Sequence, residues 1–253
     1  MIQMTVNETT VEVPRDATVL TAVRAAGIDL PTLCYHEGLS PYGACRLCMV
    51  SLKAPRGNLI AACVYPVEDG MVVDTKTPEA TAARGMAMEF ILGRCPQSHA
   101  IQDLAAKMGV TASRFEIPST GSEAEPCVLC GLCVRVCNEA IGARAIGFME
   151  RGEHRKVGSP FEVHSEACIG CGACAEICPT HAIIMEDRGN VRVLTTWNTR
   201  IELDECPSCG RYFLPRNMFF LKDMFPEIET QLTVCPECRN QRTARQWLGQ
   251  IRA

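Results

Sequence analysis

Two stretches of the sequence share one unusual cysteine spacing. The first is Cys127-Val-Leu-Cys130-Gly-Leu-Cys133-Val-Arg-Val-Cys137, and the second is Cys168-Ile-Gly-Cys171-Gly-Ala-Cys174-Ala-Glu-Ile-Cys178-Pro179. This Cys-x2-Cys-x2-Cys-x3-Cys run is typical of cubane [4Fe–4S] sites, in which one tight loop supplies three thiolates and the fourth cysteine ligates the other cluster. The spacing therefore predicts two crossed ligand sets. They are Cys127, Cys130, Cys133 and Cys178 for one [4Fe–4S], and Cys168, Cys171, Cys174 and Cys137 for the other.

Structural zinc is the alternative interpretation of these runs. A zinc finger takes its four ligands from two separated pairs, whereas each run here places four cysteines together. The glycines at 131, 170 and 172 lie beside the cysteines, where they allow backbone N–H groups to approach the sulphides of a cluster. The spacing thus favours cubanes over zinc.

Two further quartets flank this repeat. The first is Cys34-x10-Cys45-x2-Cys48-x14-Cys63, which differs from the Cys-x4-Cys-x2-Cys spacing of plant ferredoxins. The last consists of two Cys-Pro-x-Cys knuckles, Cys206/Cys209 and Cys235/Cys238. Paired knuckles suit one tetrahedral ion and predict a zinc site, with rubredoxin-type iron or a further [4Fe–4S] as alternatives.

Composition limits the class of protein. The 253 residues include 17 cysteines, carry a formal charge of −4, and are 47% hydrophobic but only 6% aromatic. Because aromatic residues are so few, we expect small modules supported by metal rather than one large core. The acidic balance argues against a nucleic-acid-binding face. No apolar run approaches the ~18 residues of a membrane span, and the N-terminus lacks signal-peptide features, so we expect a cytoplasmic protein.

The chain divides into four predicted units, which together make an α+β protein. Alternating apolar residues, a helix and further short strands over 1–77 resemble the β-grasp of [2Fe–2S] ferredoxins, so we expect a domain of this kind there. A helical connector with a linker at 118–126 follows over 78–126. The repeat predicts a bacterial-type 2[4Fe–4S] ferredoxin domain over 127–187, and a zinc-ribbon-like module completes the chain over 188–253. A last helix is predicted near 244–251.

The stretch Leu33-Cys-Tyr-His…Gly43-Ala-Cys-Arg-Leu-Cys-Met-Val50 closely resembles the N-terminal ferredoxin domain of the complex I large iron–sulphur subunit. It is also similar to the diaphorase iron–sulphur subunit of NAD(P)-linked hydrogenases and to the N-terminus of NAD-linked formate dehydrogenases. The resemblance continues through Cys130-Gly-Leu-Cys-Val-Arg-Val-Cys-Asn-Glu-Ala140 and covers about residues 1 to 187. It implies that Cys34, Cys45, Cys48 and Cys63 hold a [2Fe–2S] cluster.

One stretch departs from that family. Between the two modules the family carries a histidine and three cysteines for another [4Fe–4S], but here only Cys95 and His99 remain. One thiolate and one imidazole cannot hold a cubane. We therefore expect this cluster to be lost and Cys95 to be a buried or free thiol.

The resemblance implies a function in electron transfer. A chain with one [2Fe–2S] and two [4Fe–4S] clusters would pass single electrons between a flavin/NAD(P)H-binding subunit and a hydrogenase catalytic subunit, with ferredoxin as a further candidate partner and electron bifurcation as a candidate property. The same role in a formate dehydrogenase is an alternative. A zinc-binding interaction or nucleic-acid module is the alternative from another class. We find no nucleophile–base pair and no Gly-x-Gly-x-x-Gly, so we predict no catalytic residue.

Overall fold

The computed structural model describes residues 1–53, 57–115, 127–218 and 232–251. The linker predicted at 118–126 lies outside the described residues. Within them the elements follow the order of the four predicted units, although the domain boundaries themselves stay a prediction.

The first unit is a five-stranded sheet with one helix. Its elements are β1 (Ile2–Val6), β2 (Thr9–Val13), α1 (Val19–Ala25), β3 (Met49–Leu52), β4 (Asn58–Ala61) and β5 (Val72–Asp74). The strand order is β2-β1-β5-β3-β4, with β1 and β5 parallel and the other neighbouring pairs antiparallel. Met4 and Val6 of β1 and Val19 and Leu20 of α1 are almost fully buried in the shared core. The predicted β-grasp is confirmed.

The connector forms two helices, α2 (Pro78–Arg94) and α3 (His99–Lys107). The hydroxyl of Thr77 accepts a hydrogen bond from the Ala80 amide at 3.2 Å, which caps α2 at the position that precedes a proline. Met88 of α2 and Ile101 of α3 are fully buried in a cluster that also contains Leu33 and Leu47. The connector therefore packs on the loop that carries the first cysteine quartet.

The two cysteine runs occupy short helical segments joined by small strands. The elements are α4 (Leu132–Arg135), which continues as a π-helical turn (Val136–Ala140), β6 (Gly147–Met149), β7 (Lys156–Gly158) and α5 (Ala173–Glu176). Single 3-10 turns lie at Gly152–His154 and Pro160–Glu162. Strands β6 and β7 pair antiparallel. Each helix thus begins within its run, directly after Gly131 or Gly172.

A four-stranded antiparallel sheet follows the second run. It consists of β8 (Met185–Arg188), β9 (Val191–Leu194), β10 (Thr199–Glu205) and β11 (Tyr212–Pro215), in the order β11-β10-β9-β8, with 3-10 turns at Thr195–Trp197 and Arg216–Met218. Strand β8 spans the boundary predicted between residues 187 and 188. The sheet therefore connects the second cysteine run to the C-terminal knuckles.

The last helix, α6, covers Pro236–Ile251. The sequence predicted its start near residue 244, which was wrong. The helix begins at Pro236 because proline suits the first helical position, where its missing N–H is not needed. None of the described helices is long and apolar enough to cross a membrane.

Candidate iron–sulphur and metal centres

The first quartet converges at one end of the five-stranded sheet. Cys48 directly precedes β3 and Cys63 follows β4, while Cys34 and Cys45 lie in the loop between α1 and β3. The amide of Cys45 donates to the sulphur of Cys34 at 3.4 Å, and the amide of Leu33 donates to the sulphur of Cys45 at 3.5 Å. Cys34, Cys48 and Cys63 are 1% exposed. The fold therefore brings all four predicted ligands together and removes most of them from water.

The thiols of this quartet interact directly with one another. Hydrogen bonds from Cys45 and Cys63 lower the pKa of Cys34 to about 2, and a hydrogen bond from Cys63 lowers the pKa of Cys48 to about 7. The pKa values of Cys45 and Cys63 are correspondingly raised, mainly because their protons are shared with these neighbours. The four thiols thus form a row of neighbours in the order Cys45, Cys34, Cys63 and Cys48, in which bound metal would replace the shared protons.

Cys127, Cys130, Cys133 and Cys178 line one cavity of about 290 Å³, as the crossed spacing predicts. The amide of Ala182 donates to the Cys178 sulphur at 3.3 Å, and the Thr180 hydroxyl lies 3.6 Å from the same atom. Burial raises the pKa of Cys130 to about 11, and burial also raises the pKa of Cys133.

A second, smaller cavity of about 30 Å³ is lined by the other crossed set, Cys137, Cys168, Cys171 and Cys174. The amide of Ala145 donates to the Cys137 sulphur at 3.4 Å. Burial raises the pKa of Cys174 to about 11. Trp197 lines both cavities and is 4% exposed. No sequence pattern indicated this role for Trp197, because the residue lies outside both runs.

The glycine at 172 shows how closely the chain surrounds the second cavity. Gly172 has φ of +79° and immediately precedes α5. A Cβ atom built there would lie 2.8 Å from the terminal carbon of Met185. A side chain at this position is therefore opposed by the backbone conformation, and the flexible end of the Met185 side chain would have to move aside.

The C-terminal quartet forms a compact set of four sulphurs. The ligand atoms of Cys206, Cys209, Cys235 and Cys238 all lie within 4.8 Å of one another. Cys209 and Cys235 sulphurs are 3.7 Å apart, close to the ~3.8 Å expected for a tetrahedral ion with Zn–S bonds of about 2.3 Å. The amide of Cys235 donates to the Cys206 sulphur at 3.4 Å and is the largest cause that lowers the pKa of Cys206 to about 6. This group can hold a metal ion.

Two further candidates, Cys95 and His99, lie outside the four quartets, although Cys95 and Cys45 pack in the same cluster. Cys95 is 1% exposed and packs in the apolar cluster of Met88 and Ile101. His99 is exposed at the start of α3.

Two family models match the parts of the chain that contain these quartets. A model described as "2Fe-2S iron-sulfur cluster binding domain" matches residues 1–78, and a model described as "4Fe-4S dicluster domain" matches residues 126–182 and 167–211. The chain is 34% identical to a subunit of the NADH-quinone oxidoreductase of Rhizobium meliloti over 83% of its own length and 27% of that protein. It is 31% identical to "NADH dehydrogenase [ubiquinone] iron-sulfur protein 1, mitochondrial" of Solanum tuberosum over 72% of its own length and 27% of that protein.

The chain is a homologue of these iron–sulphur subunits. It spans only about 27% of the length of either relative. A solved structure of an NAD⁺-reducing [NiFe]-hydrogenase in the H2-reduced state also contains a similar chain, with a TM-score of 0.56 and 28% identity. That match covers 62% of this homologue and 74% of the hydrogenase chain. The resemblance inferred from the cysteine loops is confirmed.

The donor sets fit the cofactors that these domains carry. Each cubane requires four thiolates, and each of the two cavities is lined by four cysteines from the two runs. Backbone amides already point at the sulphurs of Cys34, Cys137 and Cys178, which is the hydrogen bonding that stabilises a negatively charged cluster.

We predict that Gly172→Ala impairs the second cluster site more than a matched control does. Positive φ alone costs an L-residue about 1–2 kcal/mol, and Gly172→Ala adds the contact with Met185. Gly189→Ala has the same backbone penalty, with φ of +62°, but nothing within 4 Å of the new Cβ. The free energy of unfolding and the iron bound per chain should both fall further in Gly172→Ala. Equal losses in the two variants would contradict the steric argument.

Proposed function

We propose that this homologue carries single electrons through one [2Fe–2S] and two [4Fe–4S] clusters, between a flavin/NAD(P)H-binding subunit and a hydrogenase catalytic subunit. The observation that carries the proposal is the pair of neighbouring cavities, each lined by three cysteines of one run and the fourth cysteine of the other. Two cubanes held in this way, next to a buried thiol quartet, form a chain of one-electron centres.

The clusters supply the redox chemistry when they are bound, and the protein supplies their environment. Side chains such as Trp197 and Ile183 exclude water from the first cavity. The amides of Ala145 and Ala182 donate to the sulphurs of Cys137 and Cys178. Hydrogen bonds to sulphur and the degree of burial set the reduction potential, so these residues tune the centres without taking part in bond-making.

The direction of transfer is proposed from the resemblance. In it the [2Fe–2S] module faces the flavin subunit, and the paired cubanes lead toward the subunit that handles hydrogen. The match to the NAD⁺-reducing [NiFe]-hydrogenase supports a hydrogenase rather than a formate dehydrogenase as the catalytic partner subunit. A ferredoxin partner, electron bifurcation and a cytoplasmic location stay predictions.

We propose Zn²⁺ as the ion of the C-terminal quartet. The support comes from four sulphurs within 4.8 Å of one another on two knuckles, one between β10 and β11 and the other at the start of α6. Four thiolates close a tetrahedral site, leave no position for a substrate, and tie two distant segments together. The ion would therefore have a structural role.

The crossed ligand sets are tested by replacing the last cysteine of each run, Cys178 or Cys137, with alanine. Cys178→Ala should abolish most of the EPR signal of the cluster on Cys127, Cys130 and Cys133, because Cys178 lines that cavity. Cys137→Ala is the reciprocal control and should remove the other [4Fe–4S] signal. If each variant instead loses the cluster held by the other three cysteines of its own run, the crossed assignment is wrong.

The C-terminal ion is tested with Cys209→Ser. We expect zinc per chain to fall from about one to near zero and residues 200–253 to become sensitive to protease, because metal binding and local folding are coupled. The three iron–sulphur EPR signals should persist. Stoichiometric extra iron and no zinc in the unmodified protein would establish a fourth iron site instead.

The electron-transfer role is tested on the purified chain under anaerobic conditions. Dithionite should reduce all three clusters. NADH should cause no rapid bleaching until the flavin subunit is added, because a flavin must first accept the hydride and release its two electrons one at a time. Rapid NADH-dependent bleaching without flavin would overturn the assignment. A colourless, iron-free protein with zinc in every quartet would favour the zinc-binding module.

A further inference from the structure

Arg135 connects the first cubane run to the [2Fe–2S] loop. The residue lies between Cys133 and Cys137 at the end of α4, and its side chain reaches across to the other module. Its guanidinium donates to the backbone carbonyls of Cys34 and Ser40. The guanidinium carbon also lies 5.3 Å from the centre of the Tyr42 ring. One side chain therefore contacts the loop of one predicted cluster while belonging to the run of another.

The charge of Arg135 is buried without an ion-pair partner among the described residues. The residue is 8% exposed, and its Nε has no hydrogen-bond partner. Among the described residues, no acidic side chain lies within ion-pair distance of it. Glu139, one turn further along, is exposed and accepts a hydrogen bond from the Ser40 amide at 2.7 Å. Burial of an unpaired cation is costly, so a compensating negative charge is expected nearby.

A second arginine, Arg192, has its charge compensated by an ion pair. Arg192 donates to the carbonyl of Gly170 in the second run at 2.8 Å, but it also forms two hydrogen bonds of 2.7 and 2.8 Å with Asp187. The charge of Arg192 is thus neutralised within the protein. Arg135 forms no such ion pair, although the Ser40 amide and, to a smaller extent, the charge of Arg135 lower the pKa of Glu139.

We propose that Arg135 is a positioning residue and a shared counter-cation for the [2Fe–2S] cluster and the cubane of the first run. The inference rests on the proposed function, because the compensating charge is that of the clusters. Each of these clusters, with its four thiolates, is anionic, and each gains a further negative charge on reduction. A fixed positive charge in a poorly solvated position stabilises the reduced forms and raises both potentials.

The same side chain holds the two modules together. Its two carbonyl contacts act across the interface where Cys34 and Leu39 pack against Cys130 and Leu132. The Glu139–Ser40 hydrogen bond is a second polar contact across the same interface. Arg135 therefore couples the position of the two centres to their relative potentials.

Anaerobic EPR redox titration of three purified variants separates charge from contact. Arg135→Met and Arg135→Gln remove the charge. At the midpoint potential of the unmodified protein, we expect the ratio of reduced to oxidised [2Fe–2S] cluster to fall about tenfold in these variants. This change corresponds to a potential lower by about 59 mV for a one-electron couple. Arg135→Lys keeps the charge but cannot form the same two-pronged contact. It should shift the potential much less, although thermal stability should fall in all three variants. Arg135→Gln retains an amide donor and keeps the test available if Arg135→Met does not assemble.

Arg46→Met is the matched control. Arg46 lies between Cys45 and Cys48 of the same cluster loop, yet its side chain is exposed, so solvent screens its charge and the potential should change little. The counter-cation proposal is wrong if the potentials are unchanged in Arg135→Gln and Arg135→Met. It is also wrong if Arg135→Lys and Arg135→Gln shift the potential equally. Absence of [2Fe–2S] and [4Fe–4S] signals from the unmodified protein would instead refute the proposed function, so the two failures are distinguishable.

Discussion

The crossing of the two cysteine runs is the constraint on which the centre of the molecule depends. Each cavity needs a cysteine that is separated from its other three by more than thirty residues, so the two runs must fold against each other before either site is complete. The segment between them forms only the β6–β7 pair and short turns. The local core is correspondingly small and contains cysteines among its members, including Cys133. Apolar burial alone is a weak source of stability for such a unit.

The proposed clusters would therefore have a structural as well as an electronic role. Burial raises the pKa values of Cys130 and Cys174 to about 11, which means that the protonated thiols are favoured when no metal is present. Metal binding must displace those protons, and the free energy of binding then becomes free energy of folding. The C-terminal quartet follows the same logic on a smaller scale, since it joins a turn between two strands to the first turn of α6.

Charge and packing also explain how neighbouring modules are joined. The connector places Met88 and Ile101 against Leu33 and Leu47, next to the first quartet. Cys95 lies in the same cluster, against which Cys45 of the first quartet also packs. Across the other interface, Arg135 and Glu139 contact the loop of Cys34 and Ser40. The relative placement of the two modules thus depends on a few specific contacts.

The sequence by itself determined the chemistry of the sites. Spacing of three cysteines within one loop and a proline after Cys178 are local properties, and so is the alternation of Ile2, Met4 and Val6 that predicts β1. The start of α6 and the role of Trp197 were not predictable in this way. Only the tertiary structure decided that Trp197 lines both cavities, and that Cys95 is buried whereas His99 is exposed. It also decided that Arg135 contacts the loop of Cys34 without an ion-pair partner among the described residues. These features depend on contacts between residues far apart in the chain, and a local pattern of residue types does not specify such contacts.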